Sequence, residues 1–416
     1  MPERLPLRMA IGLAAGLALG VLAHAAFGAS AWLAWVVANV IEPAGQIFLR
    51  LLFMLVIPLI VSALALAVSE LGDLRRLGRI GVRTLVYTAV VSSIAVAIAI
   101  SLVNLFEPGA GLPPELKQGL GERAQVPALA PAAGRSGAEF IVNLVPSNVV
   151  RAMADSDMLT LMVFSLLLGV GLAAAPGEPK RRLEEALRGL QDVTMWLLGL
   201  VIRLAPVGVA CLVFVLATRL GLEIFRSLAA YVGVVLLGLA LQQFVVYSAS
   251  VAWLGGMSPR RFFRGVRAVM VTAFSTASSN ATLPTALYVA EHELRLPTHV
   301  SRFVLTLGST ANQNGTALFE GVTVLFLAQL YGVELSLAQQ ATVAFICILG
   351  GIGTAGVPAG SIPVIAMILG IVGVPAEGIG VVLGVDRFLD MCRTAVNVTG
   401  DLAAAVVVAR GESGSA

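Results

Sequence analysis

Charge is what this sequence has least of. Only 12% of its 416 residues are Asp, Glu, Lys or Arg, against 58% hydrophobic, and the mean hydropathy is +0.93. Soluble domains carry about 25% charged residues, so a soluble globular chain is excluded. Cysteine is scarce as well. Cys211, Cys347 and Cys392 stand apart in apolar stretches, which excludes a disulfide framework and thiolate metal spacing. The histidines His24, His292 and His299 are equally scattered, and no His-ligated centre can be built from them. A net charge of +3 offers no footing for a nucleic-acid partner.

Long apolar runs are what the sequence does have. Met9–Phe27, Phe48–Val68, Leu85–Leu105 and Leu228–Trp253 each reach the ~20 residues that cross a bilayer as a helix. The length leaves room for roughly eight spans, so the fold class is an all-α polytopic membrane protein. Basic residues gather in alternate connections. Arg4 and Arg8 precede the first span; Arg75, Arg76, Arg79 and Arg83 follow the second; Lys180, Arg181, Arg182 and Arg188 follow the fourth; Arg260, Arg261, Arg264 and Arg267 follow the sixth. The positive-inside rule then places these connections and both termini in the cytoplasm. The N-terminus imitates a secretory signal, "MPERLPLR" before an apolar run and "AHAA", but is read as a retained first helix. The Pro-, Gly- and Ala-rich stretch Glu107–Arg135 is read as a mobile, chemically silent outer loop.

The C-terminal part differs in kind. "FFRGVRAVMVTAFSTASSNATLPTALYVAE" starts apolar, breaks at Ser278, Ser279 and Asn280, and resumes after Pro284. "QQATVAFICILGGIGTAGVPAGSIPVIAMILGIVG" breaks likewise at Gly350–Pro363. Each arm is too short to span alone. Each broken segment precedes a long apolar one with a polar motif, "TANQNGTALFE" and "DMCRTAVNVTGD". Interrupted segments in corresponding positions point to a transporter's binding site. The alternative is a pair of full spans with Gly/Pro kinks.

The last segment carries the chemistry. At ~100° per residue, Asp386, Asp390, Arg393, Thr394, Asn397 and Asp401 fall within an arc of about 100°. Each charge at the bilayer centre costs ~2.5–3.5 kcal/mol, so the four charges of this stripe cost about 10 kcal/mol unless compensated. One compensation is a structural ion-pair ladder of Asp390 and Arg393. The other is a site for a charged solute and a cation. Arg offers a planar fork for a carboxylate, Asp accepts from an ammonium, and carboxylates with unwound carbonyls suit a hard cation.

These motifs resemble one family, the glutamate transporters or dicarboxylate/amino-acid:cation symporters, which has prokaryotic members. The resemblance begins at "FLRLLFMLVIPLIVSAL", residues 48–64, passes through "SSNATLP" and "GGIGTAGVPAG", and ends at "DMCRTAVNVTGD". It implies eight spans and two re-entrant hairpins in inverted repeats, and a homotrimer in the plasma (inner) membrane. Scaffold helices one and two would occupy 1–77, transport helix three 78–106, an outer loop 107–138, and scaffold helices four and five 139–222. Transport helix six would occupy 223–255, the first hairpin 256–296, helix seven 297–334, the second hairpin 335–374 and helix eight 375–410. The transport helices and hairpins would move together against the scaffold, as an elevator.

The resemblance also assigns roles. Arg393 would hold the substrate's side-chain carboxylate, assisted by Thr316, and Asp390 its amino group, with Thr394 and Asn397 completing the polar contacts. Ser279 and the backbone at Gly356 and Val357 would hold the α-carboxylate. One sodium site would use Asp401 with carbonyls of Gly308, Asn312 and Asn397; a second would use carbonyls of Thr310, Gly351, Ile352 and Thr354. No organic cofactor is implied, only sodium and protons as coupling ions. The chain departs from the family at Gln313 and Asn314, where methionine and aspartate are usual. Asn314 weakens a third cation site shared with Ser92, Ser93 and Asn312, and Ala89 stands where a tyrosine ligand is expected. Glu320 occupies the position of an acid in proton-coupled members; the alternative there is a buried carboxyl that stays protonated throughout.

The leading function is therefore cation-coupled symport of aspartate or glutamate. A C4-dicarboxylate or neutral amino-acid symporter fits the same fold. An intramembrane aspartyl protease using Asp390 or Asp401, and a channel or non-transporting receptor, are the readings from other classes.

Overall fold

The computed structural model describes residues 5–27, 30–71, 79–110, 142, 145–154, 158–220, 223–353, 361–375 and 378–413. Among these, all regular structure is helical. The N-terminal half comprises α1 (Leu5–Phe27), α2 (Ala31–Val36), α3 (Glu42–Phe53), α4 (Val56–Leu71), α5 (Arg79–Phe106), α6 (Val149–Ala154), α7 (Met158–Ala174) and α8 (Glu178–Leu220). A π-turn, Val37–Ile41, joins α2 to α3. α9 (Glu223–Leu241) continues through π-turns Gln242–Val246 and Ser250–Leu254, with α10 (Tyr247–Ala249) between them. Then come α11 (Pro259–Thr276), α12 (Ser279–His292), α13 (Thr298–Ala311), α14 (Asn314–Leu330), α15 (Leu337–Gly353), α16 (Ser361–Val372) and α17 (Ile379–Ser413).

Among the described residues, three stretches are long and apolar enough to cross a bilayer alone: Ile80–Phe106, Arg226–Leu254 and Ile379–Arg410. Glu178–Val201 and Arg203–Val215 pass the same test as a pair bent by 53°. The bend has a local cause. Pro206 has no N–H to give the Ile202 carbonyl, and its ring presses on that carbonyl. Shorter apolar helices lie at Ile11–Phe27, Ile57–Leu66, Val163–Ala174 and Leu337–Gly351.

Large apolar side chains are exposed, and several charged ones are buried within an apolar core. All four tryptophans, Trp32, Trp35, Trp196 and Trp253, are exposed, whereas Asp386, Asp390, Arg393 and Asp401 are buried. Water would reverse that distribution; hydrocarbon and an aromatic-rich interface account for it. At the centre stands α14, buried at every residue except Gln329. It packs on α5, where Gly321 lets the Ala99 methyl approach, and on α9, α15, α16 and α17. Elsewhere α1 lies along α8, with Gly12, Gly16 and Gly20 set against Pro206, Ala210 and Phe214. Glycines at i, i+4, i+8 let two backbones meet where lipid offers no hydrophobic gain for association.

The basic residues after the sixth span are not in a loop. Arg260, Arg261, Arg264 and Arg267 are exposed on the first turns of α11, which starts at the Ser258 N-cap and Pro259. Nearly all of the outer loop, residues 111–141, falls outside the described residues.

Candidate substrate and cation site

The first broken segment turns one residue earlier than its serines suggest. α11 ends at Ala277, in the left-handed region with φ +48°. Ser278 caps α12, its Oγ accepting from the Ala281 N–H at 3.3 Å. The helix resumes at Ser279 and carries Pro284 inside it. The second break lies between α15 and α16, and residues 354–360 are outside the described set. Thr354, Gly356 and Val357 therefore have no described position.

The seventh span, read from sequence as one helix over 297–334, is itself broken. Asn312 (φ −110°, ψ 65°) and Gln313 (φ −99°, ψ 57°) leave the helical region between α13 and α14. A break at this depth exposes the last carbonyls of α13 and the first N–H groups of α14. Side chains satisfy some of them. The Gln313 amide donates to the Ser309 carbonyl at 2.9 Å. Across the core, Asn397 Oδ1 of α17 accepts from the N–H groups of Gly315 (2.7 Å) and Thr316 (3.3 Å). Asn397 Nδ2 donates to Gln313 Oε1 at 2.5 Å and to Thr316 Oγ1 at 3.0 Å. The asparagine is a helix cap supplied by another helix. Ser279 Oγ lies 3.5 Å from the Gln313 amide nitrogen. The N-termini of α12 and α14 thus meet, and their dipoles make the place attractive to an anion.

The α17 stripe is buried along its length: Asp386, Asp390, Arg393, Thr394, Asn397 and Asp401 are each at most 4% exposed. Arg393 is held on both sides. Its Nη1 donates to Asp386 Oδ1 at 3.0 Å, and its Nη2 lies 2.9 Å from Asp390 Oδ1. The guanidinium also sits 4.2 Å above the Phe319 ring of α14. Asp390 Oδ2 accepts from Arg387 at 3.2 Å. The ion-pair ladder weighed from sequence is present, and it includes Asp386 and Arg387 as well. Thr394 turns its hydroxyl back to the Asp390 carbonyl at 2.7 Å.

Asp401 is in a different situation. Its described hydrogen bond comes from the neutral Asn312 amide, at 2.8 Å. Among the described residues no cationic side chain pairs with it. Its carboxylate packs against Gly308, where a Cβ would collide with it. Asn312 Oδ1 is buried without a hydrogen-bond partner among the described residues. A buried carboxylate without a counter-charge, beside an orphaned amide oxygen, is the donor set a hard cation completes. Of the carbonyls expected for a second cation, Thr310 lies in the last turn of α13 and Gly351 near the end of α15. Gly351 sits against Ala317 and the Gln313 carbonyl; a Cβ there would be 3.4 Å from that oxygen. Ile352 follows on the same helix end.

Asn314 lies on the opposite side of the break. Its Oδ1 accepts from Ser92 Oγ of α5 at 2.6 Å, and its Nδ2 donates to the Tyr247 hydroxyl at 3.2 Å. Beside them Tyr87 and Ser250 share a hydrogen bond of 2.8 Å. Ser93 is exposed, and its hydroxyl serves the Ala89 carbonyl at 2.8 Å. The structure thus joins Asn314 to Ser92, sends Asn312 to Asp401, and leaves Ser93 outside the cluster. The amide and hydroxyls satisfy one another there. Tyr87, Tyr247 and Ser250 escaped the sequence reading. A signal for Tyr247 and Ser250 was present in "LQQFVVYSAS", residues 241–250, a polar interruption of an apolar span, and π-turns often mark functional positions.

Glu320, one helical turn beyond Thr316 on α14, is wholly buried, and neither carboxyl oxygen has a hydrogen-bond partner among the described residues. Its carboxyl faces Gly350 of α15, where a Cβ would stand 3.1 Å from Oε2. It lies within the electrostatic reach of Arg393, so the charge stripe and the second broken segment share it.

Two half-helix N-termini, a buried Arg–Asp ladder and a buried aspartate without a cationic partner among the described residues thus lie on α12, α14 and α17. The profile described as "Sodium:dicarboxylate symporter family" matches residues 5–411. The chain is 34% identical over 382 residues to the proton/glutamate-aspartate symporter of Escherichia coli (strain K12), covering 91% of this chain and 86% of that one. It is 33% identical over 402 residues to the proton/sodium-glutamate symport protein of Bacillus caldotenax, covering 97% and 95%. A C4-dicarboxylate transport protein of Bacillus subtilis (strain 168) is 31% identical over 378 residues, covering 91% and 89%. The chain belongs to the sodium:dicarboxylate symporter family, and is an integral membrane transporter rather than a protease or other enzyme.

Proposed function

We propose that the protein carries acidic amino acids, aspartate or glutamate, across the plasma membrane together with cations, by alternating access. The observation that carries this is the buried pairing of Arg393 with Asp386 and Asp390. A guanidinium and two carboxylates offer an incoming carboxylate and ammonium partners by exchange, Arg393 taking the side-chain carboxylate and Asp390 the amino group. Thr316, Thr394 and Asn397 surround these groups. Ser279, with backbone at Gly356 and Val357, takes the α-carboxylate at the meeting of the two helix N-termini. The relatives that transport glutamate and aspartate support the substrate class.

The coupling ions are sodium and protons. Asp401, with carbonyls of Gly308, Asn312 and Asn397, receives one sodium. Carbonyls of Thr310, Gly351, Ile352 and Thr354 receive a second. Ser92, Ser93, Asn312 and Asn314 leave the third site without a carboxylate, and Glu320 carries a proton in its place. The assembly is a homotrimer with cytoplasmic termini, in which helices three, six, seven and eight and the hairpins move past the scaffold.

Uptake of labelled aspartate into proteoliposomes, with sodium and pH gradients imposed separately, tests the reading. Concentrative uptake driven by either gradient is expected. Flux without accumulation would make the protein a channel, and binding without uptake a receptor.

A further inference from the structure

Asp386, Arg393, Asp390 and Arg387 form one unbroken line of charge. Arg393 grips Asp390 by Oδ1 at 2.9 Å, while Arg387 holds the other oxygen, Oδ2, at 3.2 Å. The two grips differ in what they depend on. Arg393 also serves Asp386 and stands on the Phe319 ring of another helix. Arg387 is three residues before Asp390 on the same helix, so its contact does not depend on the position of another helix. Its side chain is 19% exposed, and its Nε is buried without a hydrogen-bond partner among the described residues. The ordinary reading is an i, i+3 surface pair of little consequence. Burial argues against that. Asp390 is 4% exposed, so the pair is poorly screened, unlike Arg181 and Glu178 at the surface of α8.

Building on the function proposed above, we infer that Arg387 is a specificity-determining residue that sets how strongly Asp390 demands an ammonium group. When a ligand carboxylate draws Arg393 away, Asp390 loses its partner at Oδ1. With Arg387 in place, part of the carboxylate's charge stays neutralised. A dicarboxylate without an amino group then meets a smaller penalty. Without Arg387, less of that charge stays neutralised, and an ammonium has more to supply. Arg387 therefore broadens the site toward C4-dicarboxylates, and its loss narrows the site toward amino acids.

The test compares binding of aspartate and succinate to the full-length purified protein, and competition by succinate against labelled aspartate in proteoliposomes. The variants are Arg387→Gln, Arg387→Met and Arg387→Lys. Arg387→Met keeps the stem's packing and stands in if Arg387→Gln does not fold. The ratio of the succinate Kd to the aspartate Kd is expected to rise by about tenfold or more in the uncharged variants and to return toward the wild-type value in Arg387→Lys. In an Asp390→Ser background the same substitution should leave the ratio unmoved, because coupled residues lose their effect together. An unmoved ratio in the uncharged variants, or an equal change with Asp390→Ser present, would overturn the inference alone. Failure of the unaltered protein to bind either ligand would overturn the proposed function and the inference with it.

Discussion

Arg393 divides its charge between two aspartates, and that fixes what its loss should do. Arg393→Cys removes the counter-charge of Asp386 and Asp390 and the group proposed to take the substrate's carboxylate. Truncating one partner of a buried, hydrogen-bonded charge pair costs about 2–5 kcal/mol, so aspartate should bind roughly 30-fold more weakly or worse. Isothermal titration with aspartate and with serine checks this; undiminished aspartate affinity would remove Arg393 from the carboxylate role. Glu320 makes a second residue-level case. Its carboxyl lacks a hydrogen-bond partner among the described residues and faces Gly350 of the second broken segment. A group so placed can exchange a proton without breaking any described contact. Glu320→Gln should therefore abolish the response of aspartate uptake to an imposed pH gradient while leaving the response to a sodium gradient. Asn314→Asp should do the converse. It restores a carboxylate beside Ser92 and Tyr247, and sodium dependence of uptake should steepen. If the sodium curve of Asn314→Asp matches wild type, Asn314 is a structural tie and nothing more.

The broken helices decide the site's shape. Asn397 Oδ1 caps two N–H groups of α14 from across the core. In Asn397→Ala those donors are stranded where no water replaces the acceptor, at about 1–3 kcal/mol each. The prediction is a fall in Tm in detergent, with faster amide exchange at Gly315 and Thr316. Asn397→Asp keeps the acceptor and should recover most of the protection. Equal exchange in all three proteins would show that the break stands without its cap. How legible these features were in sequence follows from the same physics. The α17 stripe could be read because six polar groups on an apolar helix leave a 3.6-residue signature. The hairpin breaks could be read from Ser278, Ser279 and the glycines after Leu349. The break at Asn312 was missed because Gly308–Glu320 keeps helical spacing on both sides. What interrupts it is a cap donated by Asn397, 82 positions away from Gly315, and a local pattern cannot encode such a partner. The place of Tyr87 was missed for the same reason.

At the scale of the whole molecule, the proposed motion has a specific surface to cross. α17, assigned to the moving part, touches α1 and α8, assigned to the scaffold. The touching points are small residues of α17. Gly384 lies against Leu13 of α1, and Gly380 against Leu212 of α8. Glycine at both positions gives α17 a smooth edge there, on which leucine side chains can ride without interlocking, whereas packed interfaces with knobs on both sides hold one register. Sliding must separate Leu13 from Gly384, because the contact joins one residue of each body. A covalent tie across that point therefore distinguishes movement of α17 past α1 from rearrangement within the site alone. The experiment replaces Cys211, Cys347 and Cys392 with serine or alanine and introduces Leu13→Cys with Gly384→Cys. Cross-linking with mercury or a mild oxidant should stop aspartate uptake, and a reductant should restore it. Either single cysteine should be insensitive. Aspartate binding to the cross-linked protein in detergent should persist, since the tie lies outside the Arg393 and Asp390 contacts. Complete cross-linking with uptake intact would mean that α17 stays on α1 through the cycle, and the assignment of these two helices to separate bodies would be wrong.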